Sequence, residues 1–130
     1  MKRRVALQSI LTASAFSAGA GAAAGSAIQL HTDLEVKADS ETQLLADFDK
    51  LFLPRIRKAP GFIDAKLLKF RKANIGTAPE RYNYRLVQTF ASEELREKWT
   101  AHADHQIAWH TAIEKHVKTP FIAYLFDSRG

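Results

Sequence analysis

The chain has no cysteine. Disulfides, thiolate metal sites and thiol nucleophiles are thereby excluded. It also lacks a long basic run. The net charge of +5 leans on Lys2, Arg3 and Arg4; removing these three from the 19 lysines and arginines leaves 16 against 14 acidic side chains. The remaining charges of both signs are interspersed, so nucleic acid is not an expected partner. A third lack is a leucine-rich apolar run. The stretch from Val5 to about Ala24 is built largely from Ala, Gly, Ser and Thr, which makes a poor permanent membrane span. Residues 28–130 contain no linker, low-complexity segment or short repeat.

What the N-terminus does have is a short positive region, a weakly apolar core and a crowd of small residues from Ala18 to Ala27. That is the order of an export signal, and the paired arginines resemble the twin-arginine type. Residues 1–27 are therefore expected to be a signal peptide, cleaved after Ala24 or Ala27. The product would be periplasmic or secreted, with no stable membrane anchor after cleavage. Residues 28–130 form a single domain. With 46% apolar residues, eight Phe, three Tyr and two Trp in the chain, it can bury a core without staples.

Periodicity sets the element order. Ile28 to Val36 alternates, with Ile28, Leu30, Thr32, Leu34 and Val36 on one face and Gln29, His31, Asp33 and Glu35 on the other. Ser40 and Gln43 fit a capping box opening a helix with Leu44, Leu45, Phe48, Leu51 and Phe52 at helical spacing. Pro54 predicts a kink or restart near Leu53. Phe62 to Ala73 reads as a strand with imperfect alternation, meaning either two partly buried faces or a bulge. Tyr82 to Phe90 alternates again, and Phe121 to Phe126 closes the chain as a strand. The order β-α-β-β-α-β specifies an α+β, ferredoxin-like fold: a four-stranded antiparallel sheet with two helices on one face.

Between the last two strands lies Ser92 to Val117, with four of the five histidines and both tryptophans. Ser92 is an N-cap, Glu93 and Glu94 suit the helix dipole, and one helix of roughly 39 Å is predicted. On it Leu95, Trp99, His102, Gln106, Trp109, Ile113 and Val117 share a face. His105 and His116 flank that face on one side and His110 on the other; His110 and His116 are expected at wet edges. Such a stripe suits a pocket wall and an ordinary packed helix alike. No metal site is expected, because His116 would lie about 16 Å along the axis from His105 and one helix cannot gather three imidazoles.

The segment Ala59-Pro60-Gly61-Phe62-Ile63 looks like a helix exit running into a second strand. Phe90-Ala91-Ser92-Glu93-Glu94-Leu95 runs into a helix bearing Trp99 and His102. With the element order, these motifs resemble the antibiotic-biosynthesis-monooxygenase-like family of the dimeric α/β-barrel superfamily over Ile28 to Asp127. The resemblance implies a homodimer whose sheets face one another. It also implies cofactor-independent oxidation of a small phenolic or quinol compound, the family's helix often carrying a His near the position of His102. Haem-degrading members use an Asn on the first strand, where this chain offers His31 and Asp33. Oxygenation without a cofactor needs a base near neutral pH, donors for the developing anion and an aromatic slot. His102 is the base candidate. Trp99 and Trp109 are candidate walls, and Tyr84, Arg85 and His31 are candidate substrate contacts. The alternative is a non-catalytic homodimeric module that binds haem or a small aromatic ligand.

Overall fold

The computed structural model describes residues 27–129; the expected signal peptide lies outside them except for Ala27. Strands β1 (Ile28–Val36), β2 (Phe62–Lys69), β3 (Tyr84–Phe90) and β4 (Val117–Asp127) form one antiparallel sheet in the order β2-β3-β1-β4. Between β1 and β2 run α1 (Glu41–Asp47), a π-helical turn (Phe48–Phe52) and α2 (Leu53–Ile56). Between β3 and β4 run α3 (Glu93–Ala101), α4 (Ala103–Ala108), a second π-helical turn (Trp109–Ile113) and a 3₁₀ turn (Glu114–His116). This is the expected ferredoxin-like α+β architecture. Among the described residues no helix is long and apolar enough to cross a membrane.

Alternation decides which sheet face is buried. Ile28, Leu34, Val36, Tyr84, Leu86 and Phe90 point into the core beside Leu44, Phe48, Phe52, Ile56, Trp99 and Ile113 from the helical layer. Full burial of one such aliphatic side chain contributes about 2 kcal/mol. Leu34, 0% exposed, is the central one on β1, and its truncation to Ala would cost about 3 kcal/mol. The helix-free face carries His31, Asp33, Arg85 and Val87 at the centre, and Leu68, Ile122, Tyr124 and Phe126, all exposed, towards its edges.

Several local expectations change. Ser40 makes no side-chain cap; Gln43 instead donates to Asp47 Oδ1 at 2.8 Å, so no capping box forms. Upstream of Pro54 the helix widens into the π turn, where the Leu53 N–H reaches the Phe48 carbonyl. A proline has no N–H to continue an α ladder, and the break falls where the sequence predicts it. In β2 the register shifts between Phe62 and Asp64 and is regular from there on, so Ala65 and Leu67 share the core-facing side while Leu68 lies on the helix-free face; the strand ends at Lys69 rather than Ala73. Strand β3 begins at Tyr84 rather than Tyr82. Just ahead of it, the Asn83 amide takes the place of a strand pair, accepting from the Val36 N–H at 2.7 Å and donating to the Val36 carbonyl at 3.1 Å.

The largest correction concerns Ser92 to Val117. Ser92 does cap α3, its Oγ accepting from the Leu95 N–H at 3.2 Å. The helix then stops at His102, which is extended at φ −79°, ψ 147°. His102 caps α4 in turn, its Nδ1 accepting from the Asp104 N–H at 3.0 Å. An imidazole that supplies a cap to its own backbone offers that backbone an alternative to the helix. His102 is therefore exposed and off the buried face. His116, expected at a wet edge, is buried.

Candidate functional site

A cavity of about 430 Å³ opens between the helix-facing side of the sheet and the α3–α4 layer. Its floor is Leu30 and Thr32 of β1, Gln88 of β3, and Phe121 and Ala123 of β4. Thr32 and Gln88 are each 3% exposed as residues, and they are the polar members of a floor otherwise made of apolar side chains. They give the floor groups that can hydrogen-bond a guest.

The roof holds Arg96 and Thr100 of α3, His105 and Gln106 of α4, and Trp109 and His110 of the π turn. Arg96 is clamped by Glu93, Nε to Oε1 at 2.6 Å and Nη2 to Oε2 at 2.7 Å, and its Nη1 reaches Thr100 Oγ1 at 3.3 Å. Trp109 meets Phe121 edge-on at 5.1 Å between ring centres, making a corner of aromatic wall. His105 packs edge-on with Trp99 at 5.4 Å. Its Nδ1 is enclosed without a partner, so Nε2 is the nitrogen left to meet a guest. Burial pushes the His105 pKa below the ordinary histidine value, with His110 and Arg96 adding to the effect. The cavity therefore presents a neutral imidazole at pH 7 beside two polar floor residues and two aromatic walls.

The six residues singled out in the sequence do not converge. Trp109 lines this cavity. Trp99 and His102 border a different hollow, although Trp99 backs His105. Tyr84 and Arg85 border a third, near Lys69 and Tyr82. Tyr84 donates its hydroxyl to Glu41, and its pKa is pushed up to about 12 by burial and then by that carboxylate. Arg85 is held by Asp33 through two bonds of 2.6 and 3.1 Å. His31 lies on the helix-free face, edge-on to Phe126 at 4.7 Å and bonded through Nε2 to Gln29 Oε1 at 2.9 Å. Burial, and then Arg85, lower its pKa.

The sequence did signal two of the cavity residues it did not put forward. Thr32 and Gln88 are the polar interruptions of otherwise apolar strand faces, and they sit on neighbouring antiparallel strands, with Thr32 opposite Leu86 and Gln88 opposite Leu30. His105 gave no such signal, because its position depends on the break at His102. Among the described residues no group of three His, Asp or Glu side chains is placed to hold a metal.

The sequence matches no family model and no curated protein. Solved structures do match. SnoaB, a cofactor-independent oxygenase from Streptomyces nogalater, aligns at 14% identity and TM-score 0.62 over 81% of this chain and 95% of its own. A dimeric ferredoxin-like protein of unknown function from Jannaschia aligns at 14% identity and TM-score 0.63, covering 78% of this chain and 99% of that one. A candidate antibiotic biosynthesis monooxygenase from Caulobacter crescentus aligns at 15% identity and TM-score 0.63, covering 82% of this chain and 92% of that one. The described chain thus shares the ferredoxin-like fold of antibiotic-biosynthesis-monooxygenase-like proteins over most of its length.

Proposed function

We propose that the protein is an exported, cofactor-independent oxygenase or oxidase of a small phenolic or quinol compound, acting in the cavity beneath α3 and α4. The observation that carries this reading is His105, an imidazole lining the cavity of about 430 Å³ with its Nδ1 enclosed and its pKa lowered by burial. Its fold-mates include a cofactor-independent oxygenase, which supports the same reading.

In this scheme His105 Nε2 accepts the phenolic proton, in the tautomer whose proton sits on the enclosed Nδ1. The Gln88 amide and the Arg96 guanidinium supply donors to the anion, and Trp109 and Phe121 flank the ring. The electrons for oxygen come from the substrate. A quinol gives up two electrons and two protons to O₂, leaving quinone and hydrogen peroxide. A ring methylene instead becomes a carbonyl, one oxygen atom staying on carbon and the other leaving as water with both hydrogens. His102 serves less well as base. Its Nδ1 is occupied by the Asp104 amide, so the neutral ring carries its proton on Nε2.

The working form in this proposal is a homodimer. Leu68, Ile122, Tyr124 and Phe126 leave an apolar rim exposed on the helix-free face, and a second copy facing it would cover that rim. Two fold-mates are described as dimeric. Ile122→Glu should shift the protein to a monomer in sedimentation.

Oxygen uptake by the purified protein over a panel of quinols and phenols tests the activity. Turnover should vanish in His105→Ala and persist in His102→Ala; the reverse result moves the base to His102. A Soret band on adding haem, with no oxygen uptake on any quinol, would make the protein a binding module instead.

A further inference from the structure

Trp99 borders a second hollow, of about 360 Å³, between the turn after α2 and the α3–α4 junction. Its rim is cationic: Arg55, Lys58 and Lys98 against the single carboxylate of Asp104. Arg55 already pairs with Asp104 at 3.0 Å. Among the described residues Lys58 and Lys98 have no carboxylate within ion-pair distance. His102 adds a donor whose direction is set by its neighbour. With Nδ1 accepting from the Asp104 N–H, the neutral ring must carry its proton on Nε2. The wall between these groups is apolar, made by Ala59, Pro60 and the Trp99 indole.

Two ammonium groups and one imidazole N–H on the rim suit an anionic head. A mostly apolar wall suits an uncharged body behind that head, and the volume lies in the range of small-molecule sites. We infer that this hollow binds a small organic acid, its carboxylate held by Lys58, Lys98 and His102 Nε2–H and its apolar body laid against Trp99 and Pro60. The site is separate from the oxygenation cavity and stands whether or not that cavity turns over a phenol.

Benzoate is the probe. In Trp109→Phe, Trp99 is the sole indole of the chain, and its emission should change saturably as benzoate is added at low salt. In the unsubstituted protein the Trp99 indole N–H resonance should move along the same curve, which keeps the test independent of that variant's folding. Lys58→Ala with Lys98→Ala should weaken binding roughly tenfold, as loss of two exposed charge contacts implies, and added salt should weaken it likewise. Benzamide, which keeps the ring and lacks the charge, and inorganic phosphate, which keeps a charge and lacks the ring, should both bind much more weakly. The inference is overturned by the absence of a saturable response, by benzamide or phosphate binding as well as benzoate, or by unaltered affinity in the double lysine variant.

Discussion

His116 Nε2 and Asp47 Oδ2 lie 2.7 Å apart although 69 residues separate them. Both side chains are buried, and the bond ties the end of α1 to the 3₁₀ turn that leads into β4. His116, with Gln43 and Lys115 assisting, holds the Asp47 carboxyl below its ordinary value against the opposing effect of burial. A carboxylate with a lowered folded-state pKa stabilises the fold above its unfolded pKa and loses that contribution as pH falls through the folded one. Asp47→Ala should therefore cost about 2 kcal/mol at neutral pH, as leaving a buried hydrogen-bond partner unsatisfied does. The deficit should shrink in acid, below pH 3.8, the ordinary value. Urea unfolding at neutral and acid pH checks both.

Tyr84 gives the opposite sign. Its pKa is pushed up to about 12 from 10.0, so the folded state resists ionisation that the unfolded chain permits. Its contribution is complete below pH 10 and is lost between that pH and about 12. Tyr84→Phe should lose about 1 kcal/mol at neutral pH, the worth of its bond to Glu41, and should flatten the alkaline arm of the unfolding curve. An alkaline arm unchanged by the substitution would remove the assignment.

His105 predicts the shape of the rate profile. The base must be neutral, and its pKa lies below 6.5. The acid limb of quinol oxidation should therefore be centred below pH 6.5. The same depression makes the folded state bind fewer protons than the unfolded one, so His105 also disfavours folding as pH drops below 6.5. An acid limb centred above 6.5 would point to a different group.

Gly61 has φ +81°, and a Cβ built there would lie 2.4 Å from Leu95 Cδ1 and 2.9 Å from Leu95 Cβ. Backbone and space both demand glycine. Gly61→Ala should lose about 2 kcal/mol or more from the left-handed conformation and the clash. Thermal unfolding of Gly61→Ala beside Gly76→Ala, whose Cβ would meet open space, separates the steric part.

Much of this architecture could be read from residue order. Period-two alternation in Ile28–Val36 and Tyr82–Phe90 predicted two strands and sorted their residues onto two faces, and the structure puts both at the centre of the sheet, where a one-residue slip would expose the whole apolar set. Pro54 announced a break in the first helical layer. The site was less legible. A helical wheel assumes that 3.6 residues per turn continue from Ser92 to Val117, and the His102 cap ends that continuity. Downstream positions then obey α4 and its turns rather than the original wheel. His102 thus leaves the core face, and His105 reaches the cavity from what had counted as a flank. Nothing in residue spacing predicts that a histidine will bond its own backbone two residues on.

Both helical layers contain one π turn, Phe48–Phe52 in the first and Trp109–Ile113 in the second. Such a turn amounts to one residue inserted into an α-helix, swinging everything after it by about 100° relative to an uninterrupted helix. For any ungapped alignment to a straight-helix fold-mate, positions beyond Phe52 or Ile113 would slip by one, pairing buried residues with exposed ones. Structure-guided alignment of this chain should place single-residue gaps at those two turns, so that positions such as Ile56 and His116 are compared with residues in equivalent surroundings.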